Sequence, residues 1–142
     1  MNLGYQLIAA CLLMTVVALV HGLGIVAITR LLELEQDALR QRRVDLAAYG
    51  LLVLIALCLF ALHVAEIGLF ALFYLAVGAL QEFETAMFFS ASAYSTLANT
   101  VAGFPEEWRF VGAIEGLIGF LMIGWSAAVF VGDVGALLQR PK

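Results

Sequence analysis

Apolar and charged positions divide the chain into long apolar stretches separated by two polar ones. Residues 1–29 carry no charged side chain, and a run of that length exceeds the about 20 residues that cross a hydrocarbon core. The pattern predicts a first transmembrane helix there. A cleaved signal peptide fits poorly, because no Lys or Arg precedes the run and it is longer than an h-region. Residues 30–45 form the one long charged stretch. Leu31, Leu34 and Leu39 fall on one side of a helix, so it reads as the end of the first helix plus an interfacial turn. Residues 46–80 are the second apolar segment, about 50 Å long if helical throughout at 1.5 Å per residue. A helix of that length must tilt, project or break, and Gly78 is the expected break. Residues 108–138 predict the last membrane helix.

The stretch between the second and third segments cannot cross a bilayer and return as two helices. Residues 84–95 read as a short helix bearing aromatic side chains, and residues 96–105 as irregular chain. Irregular backbone at membrane depth survives only where it is buried in protein or lines a water-filled path. The pattern therefore predicts an all-α integral membrane fold: three transmembrane helices plus a re-entrant pore helix and loop. One such loop cannot enclose a path alone, so a ring of identical chains is expected.

Composition agrees with the pattern. Of 142 residues 64% are hydrophobic and 13% charged, and the mean hydropathy is +1.04. That apolar surplus needs a lipid bilayer as its partner. The net charge is −4 and the basic residues form no dense patch, which argues against nucleic acid. Arg30, Arg40, Arg42 and Arg43 lie in the charged segment, and Arg140 and Lys142 lie at the C-terminus. The bias of basic residues towards the cytoplasm places both inside, and so the N-terminus and the re-entrant loop outside.

Few side chains offer chemistry. Cys11 and Cys58 fall inside apolar runs and read as two buried free thiols. No Cys, His and carboxylate set stands at zinc spacing, so neither metal nor cofactor is expected. His21 is a lone imidazole in the first apolar run, read as a packing or hydrogen-bonding residue. His63 and Glu66 are three apart and share a helical face. A carboxylate so deep in an apolar helix needs a partner, and His63 is the nearest. Glu115 lies about two turns below Trp108 and needs one too, expected on the back of the re-entrant helix. His63, Glu66 and Glu115 are thus the candidate buried polar network. No nucleophile accompanies them, so an enzyme is not expected. Glu106 and Glu107 are candidate pore-mouth acids, with Glu82 and Glu84 on the near side of the loop. Such a group concentrates cations by its field, or simply caps helix ends. Gly112 and Gly116 are four apart and let another backbone approach. Gly119 and Gly124 are candidates for an inner-helix hinge or for further packing.

From Phe88 to about Val131 the chain resembles the pore module of the potassium channel family. Phe88-Phe89-Ser90 is similar to the aromatic pair and serine of that family's pore helix. Thr96 falls where the first filter threonine falls, and Trp108 where an aromatic residue often opens the inner helix. A closer likeness is to small prokaryotic ion-channel proteins with an extra N-terminal helix. It rests on His63-x-x-Glu66, Glu106-Glu107-Trp108-Arg109, and Glu115 through Gly124-Trp125-Ser126. It covers residues 46–138. The resemblance implies a homotetramer in a prokaryotic plasma membrane, with an ion pathway at Thr96, Leu97, Ala98, Asn99 and Thr100.

At that place the family carries Thr-x-Gly-Tyr-Gly and then an acid, whereas this chain carries Thr96-Leu97-Ala98-Asn99-Thr100 and then Val101. Potassium selectivity needs carbonyl oxygens that replace the ion's hydration shell. Aiming successive carbonyls inward needs positive φ, which glycine allows and a Cβ penalises by about 1–2 kcal/mol. A filter of the family's geometry is not expected. Three outcomes stay open: a wider hydrated path passing K⁺ and Na⁺ with little discrimination, a loop closed by Leu97 and Val101, or assembly with a second subunit that carries a good filter. The sequence therefore predicts a pore protein for monovalent cations, or alternatively a non-conducting structural or regulatory membrane subunit.

Overall fold

A computed structural model describes residues 3–39, 45–97 and 104–138, all helix or short connection. Helix α1 spans Leu3–Leu39, α2 spans Asp45–Ala76, α3 spans Phe83–Tyr94, and α4 spans Arg109–Leu138. Three stretches are long and apolar enough to cross a membrane: Leu3–Leu31, Tyr49–Ala76 and Glu106–Gly132. The chain is an α-helical membrane protein. α1 runs past Arg30 as far as Leu39, through Leu, Glu, Gln and Ala, which lose little rotamer freedom in a helix.

Local chemistry sets the helix ends. α2 stops at Ala76, and Gly78 follows at φ +71°. Glycine takes this left-handed position without the Cβ clash that other residues meet. The turn brings the Ala79 N–H to the Tyr74 carbonyl at 2.9 Å. α4 is preceded by a 3-10 turn at Glu106–Trp108, opened by Pro105 at φ −63°. The Gln6 side chain of α1 accepts the Phe110 N–H at 3.2 Å, satisfying one of the donors that a helix start leaves without an internal partner.

Contacts fix the helix directions. Gln6 lies beside Phe110 and His21 beside Ser126, so α1 and α4 run the same way. Tyr74 lies beside Glu115, and Glu66 meets His21, so α2 runs opposite to both. α3 is wedged between α2 and α4. Its Phe89 packs on Tyr74 near the end of α2, while its Tyr94 reaches Glu66 and His63, two to three turns back along α2. Beyond Leu97 the chain is next described at Phe104, whose ring stacks on Phe89 at 4.0 Å. The connection between α2 and α4 therefore descends along the bundle and comes back to the level at which it set out.

Two apolar clusters hold the bundle. One gathers Phe70, Tyr74, Phe89, Tyr94, Phe104, Val111 and Ile118 around α3. The other joins Ile25 and Ile28 of α1 to Leu51, Ile55 and Leu59 of α2 at the opposite end. α3 comes close to α4 because α4 presents glycine there. A Cβ on Gly119 would stand 2.1 Å from the Tyr94 carbonyl oxygen, and one on Gly116 would stand 3.0 Å from that of Ala93. Only a hydrogen fits at Gly119 with α3 where it is.

The cysteines correct the sequence reading in one respect. Both are free, but Cys11 is exposed and Cys58 is half-buried. An apolar run all round a membrane helix hides its side chains in lipid rather than in protein, so the run did not imply protein burial.

Candidate functional site: a polar cluster inside the bundle

Four helices contribute polar side chains to one place in the apolar interior. His21 comes from α1, His63 and Glu66 from α2, Tyr94 from α3, and Ser126 from α4. His21, Glu66, Tyr94 and Ser126 are buried, and the His63 side chain is 17% exposed. Glu66 is the hub. Its Oε1 lies 2.8 Å from His21 Nδ1, and its Oε2 lies 3.3 Å from His63 Nδ1 and accepts the Tyr94 hydroxyl. His63 Nδ1 is also 3.0 Å from the Tyr94 oxygen. The far nitrogen of His21, Nε2, faces Ser126 Oγ at 3.4 Å, and the Trp125 ring packs on the His21 ring at 5.1 Å. A buried carboxylate is tolerated where donors surround it, and Glu66 has three within reach.

Glu115 belongs to a second polar group one turn further up α3. It accepts from the Tyr74 hydroxyl at 2.7 Å and from the Ser90 hydroxyl. Ser90 Oγ is also 2.8 Å from the Ile67 carbonyl of α2. Ser90 and Tyr94 are four apart on α3, so a single face of this short helix serves both buried carboxylates. Each group ties α3 into the bundle.

α3 ends in a two-bond reversal. Thr96 N–H bonds to the Ala93 carbonyl and Leu97 N–H to that of Ser92, both at 2.9 Å. Thr96 sits at φ +61°, and among the described residues it is the one non-glycine with positive φ. This is the Schellman closure that glycine normally makes. For a β-branched residue it is strained. Ser95, Thr96 and Leu97 are exposed, beside a helix end that abuts Gly119, midway along the apolar part of α4.

The remaining candidates lie elsewhere. Ala98, Asn99 and Thr100 lie outside the described residues, as does Val101. Glu106 and Glu107 are exposed at the start of α4, and Glu106 pairs with Arg109 at 3.1 Å. Pairs so exposed contribute little to stability. Gly119 packs under Tyr94, while Gly124 has open space where a Cβ would be, within an unbroken α4.

Sequence reasoning linked His63 with Glu66 but left His21 and Tyr94 out of the set. They lie 45 and 28 positions from Glu66, and only the packing of α1 and α3 brings them in. The one available signal was the imidazole of His21 in a stretch without charge. No family model, curated protein or solved structure matches the chain.

Proposed function

We propose that the chain is a potassium-channel-like pore protein that passes monovalent cations with little preference between K⁺ and Na⁺. The observation that carries this reading is the course of the chain between α2 and α4. α3 stops half-way along the bundle, exposes Ser95 and Thr96 there, and the chain returns to Phe104 beside Phe89. Hydroxyl groups and a helix end at that depth call for water or protein around them. The C-terminal end of α3 also carries the negative end of its dipole, which favours a cation.

In this reading α3 is the pore helix and the ion pathway is at Thr96, Leu97, Ala98, Asn99 and Thr100. A ring of identical chains, four by the family resemblance, encloses it. Glu106 and Glu107 raise the cation concentration at the mouth by a field that salt screens. The polar groups of Glu66 and Glu115 fix α3 rather than conduct. Asn99 and Thr100 offer side-chain oxygens to a hydrated ion, and the absence of the two filter glycines removes the carbonyl cage that would single out K⁺.

Thiol accessibility tests the reading. In a background of Cys11→Ser and Cys58→Ser, Ser95→Cys in liposomes is expected to react with a membrane-impermeant cationic thiol reagent. Leu19→Cys, on the exposed apolar face of α1, is expected to stay unreacted. Protection of both from a folded oligomer would place α3's end away from water and favour the non-conducting subunit, as would a plug formed by exposed Leu97.

A further inference from the structure

We infer that His21, His63 and Glu66 form a binding site for one divalent transition-metal ion per chain, with zinc the ion whose demands they meet best. The inference rests on the side-chain geometry alone and is independent of conduction. One ligand atom from each of these residues lies within 4.8 Å of the other two. Tetrahedral zinc, with bonds of about 2.0–2.2 Å to imidazole nitrogen and carboxylate oxygen, places its ligand atoms about 3.4 Å apart. His21 Nδ1 to Glu66 Oε1 is 2.8 Å, and His63 Nδ1 to Glu66 Oε2 is 3.3 Å, so small movements open the set around an ion. Two imidazoles with one carboxylate suit zinc, cobalt or copper, and not magnesium or calcium, which want oxygen ligands.

The surroundings complete the argument. A metal-bound imidazole hands its proton to the other ring nitrogen, which then needs an acceptor. For His21 that nitrogen is Nε2, and Ser126 Oγ faces it at 3.4 Å. Trp125 packs on the same ring and fixes its plane. The Tyr94 hydroxyl donates to Glu66 Oε2, leaving Oε1 for the ion. His63 is the one ligand that the chain does not fully enclose, which leaves room for a water or a neighbouring group as fourth ligand. Glu66 supplies one negative charge, and each imidazole binds as the neutral ring, through Nδ1, with its one proton on Nε2. The ligands come from α1 and α2, so the ion would clamp the N-terminal helix to the bundle.

The test uses the full chain in detergent with Cys11→Ser and Cys58→Ser, which removes thiol ligation. The chain is stripped with chelator and titrated with Co²⁺, whose tetrahedral complexes absorb strongly in the visible. The expected result is a band saturating at one Co²⁺ per chain, displaced by Zn²⁺ and untouched by excess Mg²⁺. Zn²⁺ is expected to raise the unfolding midpoint of the same protein. His63→Ala, at the partly exposed edge, is expected to elute unchanged on size exclusion but to lose the band. Glu66→Gln is expected to weaken Co²⁺ binding at least tenfold, and Tyr94→Phe to keep the band. A parent protein with no saturable band would overturn the proposal. So would a band that survives His63→Ala.

Discussion

Replacing Gly119 by alanine tests the packing that sets α3 in place. The new Cβ would stand 2.1 Å from the Tyr94 carbonyl oxygen and 2.8 Å from both its carbonyl carbon and its Cγ. Real Cβ atoms essentially never approach closer than 3.0 Å, so the end of α3 must retreat by at least 0.9 Å, the difference between 3.0 and 2.1 Å. Two of the three close atoms are backbone, so a rotamer change cannot absorb the shift. Overpacking of this kind costs about 1–3 kcal/mol. The retreat also pulls the Tyr94 hydroxyl off Glu66, and weakening a hydrogen bond to a buried charged group costs about 1.5–3 kcal/mol. The sum is roughly 2.5–6 kcal/mol, against a gain of up to about 1 kcal/mol from helix propensity. Gly116→Ala, with 3.0 Å to the Ala93 carbonyl, should fall between Gly119→Ala and Gly124→Ala, which meets nothing within 4 Å. Gly124→Ala is expected to be neutral or slightly stabilising. The assay is unfolding in detergent, followed by tryptophan fluorescence and size exclusion. Equal stability of Gly119→Ala and Gly124→Ala would refute the placement of α3.

Three other outcomes follow from the same geometry. Thr96→Gly relieves a β-branched residue at φ +61° and should stabilise the chain by about 1 kcal/mol in the same assay. Glu115→Ala should destabilise it by about 2 kcal/mol or more, since it leaves the buried Tyr74 hydroxyl without its partner and takes one from Ser90; Glu115→Gln, which keeps an acceptor, should cost clearly less. Gln6→Ala should cost about 1 kcal/mol by removing the acceptor for the Phe110 N–H, seen as easier proteolysis at the start of α4.

Much of this architecture is legible in the sequence because lipid imposes simple rules. Twenty-nine residues without charge, and two further apolar runs, announce spanning helices, and Gly78 marks the turn after α2. The polar interior is less legible. His63 and Glu66 lie three apart, so helical spacing alone pairs them. His21 and Tyr94 join them only through the packing of three helices, and no local pattern encodes that. Glu66 and Glu115 both demand partners, yet the sequence does not tell that they sit in separate groups bridged by one face of α3. Gly119 reads as a contact more readily than as a bend, but its partner, the Tyr94 carbonyl, is not legible in the sequence. Thr96 illustrates the opposite limit. Nothing in its type suggests a left-handed helix cap, because glycine is the residue that chemistry prefers there. It is held by two backbone bonds and by the packing of α3 rather than by its own preference.

The most direct test of the pore reading is cation flux through the purified chain in liposomes, under opposed K⁺ and Na⁺ gradients with the reversal potential measured. The expected result is a current whose reversal potential shows K⁺ and Na⁺ permeating nearly equally, with Asn99→Asp altering the conductance. A folded, oligomeric protein that passes neither ion would contradict it, and strong K⁺ preference would contradict the argument from the missing glycines.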